Sequence, residues 1–190
     1  MEIILASGSP RRRELMEMLG FKDIKIIPAA GEEKADGINE PGRLVEALSA
    51  AKAREVAAKL SGDELVIGAD TVVWLDGKVL GNPHSREEAF NMLRSLSGRE
   101  HQVYTGVSLV REGRLVSEHE VSRVFFRELS EEEINAYIDT GEPMDKAGAY
   151  GAQGLGALFV RKIQGDFFNV MGLPVCRLGE MLREQGVRIL

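Results

Sequence analysis

The segment Ala6-Ser7-Gly8-Ser9-Pro10-Arg11-Arg12-Arg13 has the composition of an anion-binding turn. An apolar run leads into small residues, and these lead into a proline suited to the first position of a helix. Backbone N–H groups at a helix start, together with the helix dipole, favour negative charge. Ser7 and Ser9 add hydroxyl donors, and Gly8 permits close backbone approach. Helical spacing places Arg11 one turn before Leu15 and two before Leu19, on the inward side. The same spacing aligns Arg13 with Glu17, toward solvent. Arg11, and after it Arg12, are therefore candidates to grip phosphate through paired N–H donors. The alternative is a capped helix with a solvated basic first turn, which the dipole disfavours.

Five further positions could carry chemistry. Lys52 falls within the apolar stripe Val45, Leu48, Val56, Leu60 of a long amphipathic segment. It either snorkels to solvent or reaches a buried anion. Asp70 ends the apolar run Leu65–Ala69, where a carboxylate is expensive to bury unless paired or metal-bound. It is a candidate metal ligand or general base, or else a cap on a turn into 72–75. Glu32 and Glu33 lie in a polar loop, and a second carboxylate beside Asp70 would suit an oxygen-preferring ion such as Mg²⁺ or Mn²⁺. A solvated acidic loop is the competing reading. Gln153 sits in a stretch with five glycines in positions 141–156, and its amide can both donate and accept toward a base edge. His84, His101 and His119 are scattered, suggest no cluster, and His119 reads as exposed.

The elements that must position these residues alternate between strands and helices. Strands are expected at 3–6, 25–27, 65–69, 72–75, 78–80, 101–111, 114–128 and 157–163. Helices are expected from Pro10 to Gly20, from Pro41 to about Leu60, from Ser85 to Leu96, from Ser130 to Thr140 and from Pro174 to about Gln185. Ser9 reads as an N-cap, and Ser85 with Glu88 and Ser130 with Glu133 read as capping boxes. Asp76-Gly77 reads as a tight hairpin turn, and Glu112-Gly113 separates the two longest strands. This pattern indicates a mixed sheet in an α/β fold, one domain of 190 residues.

The chain carries 30 acidic and 24 basic residues, a formal charge of −6, which argues against general nucleic-acid binding. No apolar run is long enough to span a bilayer or serve as a signal peptide. The single Cys176 excludes an internal disulfide and a cysteine-only metal cage, and suits a cytoplasmic protein.

Together, the blocks A-S-G-S-P-R-R (6–12), G-A-D-T (68–71), L-S-G-R-E-H-Q-V-Y-T-G-V (96–107), G-E-P-M-D-K-A-G-A-Y-G-A-Q-G (141–154) and N-V-M-G-L-P (169–174) closely resemble the Maf family of nucleoside triphosphate pyrophosphatases. The resemblance implies an elongated mixed sheet flanked by helices, of the inosine triphosphatase type, with two lobes around a cleft. It implies the subgroup that hydrolyses dTTP and UTP to monophosphate and pyrophosphate, rather than the one acting on 7-methyl-GTP. By resemblance Asp70 is the proton acceptor, and Arg11, Thr71 and Gln153 set substrate choice. Ser7, Arg12, Glu33 and Lys52 line the site, with Glu33 sharing a divalent metal with Asp70, and a homodimer is implied. One departure stands out: Gly81-Asn82-Pro83 replaces the family's usual G-K-P, so Asn82 offers a hydrogen bond but no charge. Lys146 is a candidate to compensate. The substitution also leaves open a rival function, a nucleotide-binding regulator of cell division with little turnover.

Overall fold

The computed structural model describes residues 2–31 and 37–190. Seven strands form one mixed sheet: β1 (Ile3–Leu5), β2 (Lys25–Ile26), β3 (Leu65–Leu75), β4 (Lys78–Leu80), β5 (Glu100–Arg111), β6 (Arg114–Phe126) and β7 (Val160–Gln164). The order is β2-β1-β3-β5-β6-β7, with β4 paired to β3. β1 runs parallel to β2 and β3, whereas the β3–β4 and β6–β7 pairs are antiparallel. The helices are α1 (Pro10–Met18), α2 (Pro41–Ala57), α3 (Arg86–Leu96), α4 (Glu131–Asp139), α5 (Phe167–Met171) and α6 (Val175–Glu184). The mixed α/β class expected from the sequence is the class observed.

Asp76-Gly77 and Glu112-Gly113 take positive φ at both residues (51° and 78°; 48° and 76°). That is the geometry two-residue hairpins need to match strand twist. The capping box at α4 is complete, with Ser130 accepting from the Glu133 N–H and Glu133 reaching back to the Ser130 N–H. At α3 it is only half formed: Ser85 accepts from the Glu88 N–H, but the Glu88 carboxylate reaches the His84 N–H. Ser9 occupies the N-cap position of α1 without making a side-chain cap.

The chain divides into two compact units. The first comprises residues 1–70, 105–120 and 172–190. Its core includes Ile4, Ala6, Ala53, Val56, Val66 and Val110. Here α2 lies against the sheet at two glycines. A Cβ on Gly68 would stand 2.3 Å from the Ser49 carbonyl oxygen, and one on Gly106 would stand 2.2 Å from that of Val45. Only glycine admits such an approach. The second unit comprises residues 71–104 and 121–171. Its core gathers Leu93, Leu96, Val124, Phe126, Ile134 and Phe159.

Several expected boundaries are corrected. The run 65–69 does not stop at Asp70. β3 continues unbroken to Leu75, so Asp70 caps no turn. Both flanks of Asp70 are β-branched or apolar, and the pairing of β3 with β4 extends the ladder. Residues 157–159 belong to a 3-10 turn (Leu155–Phe159), and β7 begins only at Val160. Two more 3-10 turns, Glu142–Asp145 and Ala147–Ala149, organise the glycine-rich stretch. The one-turn helix α5 lacks a periodic signature and was not anticipated. α2 ends at Ala57 rather than near Leu60.

Candidate active site

In the first unit, the parallel register pairs Ile3 with Leu65 and Leu5 with Ile67. Carried two residues further, it sets Ser7 level with Ala69. The Ala6 N–H donates to the Ile67 carbonyl at 2.7 Å, so the turn that follows β1 starts three residues before Asp70 in the β3 register, at the carboxyl end of β1, where open α/β sheets bind ligands. Gly68 and Asp70 share a face because side chains alternate along a strand. α2 covers that face, and the close approach at Gly68 brings Lys52 down onto Asp70. Lys52 Nζ donates to Asp70 Oδ1 at 2.5 Å.

Asp70 is 6% exposed. A carboxylate so placed requires a cationic or hydrogen-bonding partner, because desolvation alone would cost several kcal/mol, roughly, per ion. Lys52 meets that requirement, which decides between the two readings of this lysine: it reaches a buried anion rather than solvent.

The 7–12 turn is held by its own polar groups. Ser7, 7% exposed, accepts from the Ser9 N–H and from Arg12 Nη1, each at 3.2 Å. Arg12 Nε donates to the Gly172 carbonyl at 2.7 Å. Arg12 thus ties the turn to the segment preceding α6, a positioning role its spacing did not reveal. Arg11 is half-buried. Arg13 pairs with Glu17 at 2.8 Å and faces solvent, as the helical spacing predicts. His119 is not simply exposed: its Nδ1 lies 2.6 Å from a carboxylate oxygen of Glu46 on α2.

Four candidates belong to the second unit. Thr71 follows Asp70 on β3 and is half-buried, whereas Asn82 and Gln153 are exposed. Lys146 is 9% exposed and donates to Asp145 Oδ1 and to the Glu142 carbonyl, both at 2.6 Å. Its stem passes over Gly151, where a Cβ would stand 2.9 Å from Lys146 Cε. Sequence reasoning overlooked Glu142. Burial raises its pKa, but its carboxylate accepts from the Leu155 and Gly156 N–H groups and from the Tyr137 hydroxyl, and the net effect is a lowered pKa. It is the anchor of the 141–156 stretch. A polar residue directly after a helix-ending glycine is the only sequence hint of this.

Glu32 and Glu33 lie outside the described residues. Among the described residues, no group of three or more His, Cys, Asp or Glu side chains could hold a metal. Asp70 does supply a hard oxygen donor. A single carboxylate completed by phosphate oxygens and water is a common way to hold Mg²⁺, so the donor chemistry fits such an ion. No helix among the described residues is long and apolar enough to cross a membrane.

Known proteins are similar to this chain over its full length. A dTTP/UTP pyrophosphatase of Thermoanaerobacter sp. (strain X514) is 52% identical over 193 residues, covering 100% of both chains. One from Carboxydothermus hydrogenoformans is 53% identical over 188 residues, covering 98% of this chain and 100% of its own. Among solved structures, a HAM1 protein from Coxiella burnetii superposes with a TM-score of 0.53 at 16% identity, over 97% of this chain and 99% of its own. That likeness is one of fold. The Maf-like protein family matches residues 2–185, and the chain belongs to it.

Proposed function

We propose that the protein hydrolyses dTTP and UTP to the nucleoside monophosphate and pyrophosphate. The reading rests on one observation above all: Lys52 on α2 holds the buried Asp70 on β3, the strand that runs parallel to β1 up to the start of the Ser7–Arg12 turn. The names and full-length similarity of the relatives from Thermoanaerobacter and Carboxydothermus support the substrate class.

In this reading the Ser7–Arg12 turn and Arg11 receive the phosphates, and Lys52 neutralises phosphate charge. Asp70 accepts the proton of a water that attacks the α-phosphorus. The bond between that phosphorus and the α–β bridging oxygen breaks, and pyrophosphate leaves. Fixed donors and cations lower the barrier by meeting charge where it develops. A divalent cation, Mg²⁺ or Mn²⁺, would be held by Asp70 with Glu33 and would supply charge neutralisation. To the second unit we assign Thr71 and Gln153 as readers of the pyrimidine, and Asn82 and Lys146 as phosphate contacts. A cytoplasmic homodimer completes the proposal.

The test is a panel of nucleoside triphosphates incubated with Mg²⁺ or Mn²⁺, with products resolved by anion exchange. Preferential conversion of dTTP and UTP to monophosphate and pyrophosphate supports the reading. Release of orthophosphate, or equal turnover of all triphosphates, overturns it.

A further inference from the structure

The second unit buries a histidine and a tyrosine against each other, and no step above uses them. His101 on β5 is 2% exposed, and Tyr150 is 6% exposed. His101 Nε2 and the Tyr150 hydroxyl lie 2.7 Å apart. Phe126 packs edge-on against both rings, with centroids 5.0 Å and 4.7 Å away. A neutral imidazole and a phenol hold two exchangeable protons, and the bond between them uses one. Among the described residues, His101 Nδ1 has no hydrogen-bond partner. An aromatic cluster built only for packing would omit such polar groups, because an unmet buried one costs about 1–3 kcal/mol.

The backbone next to this pair is strained. Ala149 is fully buried with φ 59°, a left-handed conformation that side chains with a Cβ rarely adopt. Gly148 before it has φ 69°, and a Cβ there would meet Val73 Cγ2 at 2.8 Å. Such strain persists only where the surroundings over-determine it, and it gathers at functional sites. Tyr150 is the next residue, and its hydroxyl is fastened to β5 through His101. Gly151–Gly154, which carries the exposed Gln153, follows directly.

We infer that His101 and Tyr150 are positioning residues for substrate selection: their hydrogen bond holds the strained Ala149–Tyr150 turn in the form that displays Gln153. The consequence for selectivity rests on the assignment of Gln153 as a base reader; the consequence for the backbone does not.

The experiment compares Tyr150→Phe, His101→Gln and Gln153→Ala. It measures kcat and KM for dTTP, UTP and ATP, and amide hydrogen exchange over residues 150–156. Tyr150→Phe keeps the ring and loses only the hydroxyl. Its KM for dTTP and UTP should rise about tenfold, the effect of one net hydrogen bond. Its kcat/KM for ATP should stay within about twofold, so that discrimination narrows, and exchange over 150–156 should accelerate. His101→Gln, which retains a donor and an acceptor, should lose less; it also serves if Tyr150→Phe fails to fold. Combined with Gln153→Ala, Tyr150→Phe should narrow discrimination no further, because residues acting as a unit are non-additive. A fall in thermal stability with discrimination and exchange unchanged overturns the proposal. If Gln153→Ala itself leaves discrimination intact, the base-reading assignment falls. Exchange then decides alone: faster exchange upholds the positioning role, and unchanged exchange removes it.

Discussion

In the proposed reaction Asp70 is the base and Lys52 its cationic neighbour, and the ion pair between them makes single substitutions informative. Asp70→Asn keeps the volume of the side chain and removes a proton acceptor. Pyrophosphate release should fall by about 10²–10⁴-fold, the usual contribution of a positioned acid or base, with an unchanged far-ultraviolet spectrum. Retention of more than a tenth of the activity would exclude Asp70 as the base. Lys52→Ala removes the partner of a buried carboxylate and should cost roughly 3–5 kcal/mol of stability, measurable by urea unfolding. His101 supplies a pH signature. Burial pushes its pKa down to about 4 from the ordinary 6.5. Between those values the unfolded chain binds a proton that the folded chain refuses, so unfolding free energy falls as pH drops from 6.5 toward 4. The slope should reach about 1.4 kcal/mol per pH unit, and His101→Gln should remove that component. Denaturation midpoints collected across this range read the difference directly.

At the scale of elements, the decisive contact is α2 on β3. Helical periodicity located the inward stripe Val45, Leu48, Val56, Leu60, and the apolar run Leu65–Ala69 marked a buried strand leading to Asp70. Neither rule revealed that the two faces meet through glycine. Gly68→Ala would drive a Cβ into the Ser49 carbonyl and the Ala53 amide. The helix must move outward, carrying Lys52 away from Asp70. We expect destabilisation of about 1–3 kcal/mol together with a fall in kcat, whereas a substitution that merely loosened packing would lower the denaturation midpoint and leave kcat intact. The 141–156 stretch shows the converse. Its glycine density announced special backbone geometry, and Gly141, Gly148 and Gly154 do take positive φ. What organises it is Glu142 and Tyr137, whose roles depend on hydrogen bonds to N–H groups over ten residues away.

For the whole molecule, charge is the relevant scale. A net −6 repels a long polyanion from the surface, yet cations concentrated near the end of β1 can still receive one triphosphate. If a divalent ion shares that work, chelation by EDTA should abolish turnover and added Mg²⁺ or Mn²⁺ should restore it. Activity that survives exhaustive chelation would remove the metal from the proposal. Asn82→Lys introduces the charge that the family resemblance implies at this position and should raise turnover several-fold. No gain would show that Lys146 or the protein's other cations already suffice.

The α/β class, both hairpin turns, the α4 capping box and the outward pairing of Arg13 with Glu17 were legible before any tertiary contact was known. The turns, the capping box and the ion pair are each settled within a few residues, by dihedral preference or helical spacing, and the class by how the two periods alternate along the chain. The sequence also marked Ser7, Arg12, Lys52 and Asp70, through residue types that are costly or unusual where they stand. What those residues do to one another depends on packing between distant segments. Asp70 lies mid-strand rather than at a strand end because β4 prolongs the ladder. Lys52 meets Asp70 because two glycines let α2 settle onto the sheet. Arg12 turns back to Gly172, and His101 meets Tyr150 49 residues on. Such contacts join segments far apart in the chain, where local propensity carries no information and packing alone chooses the partner.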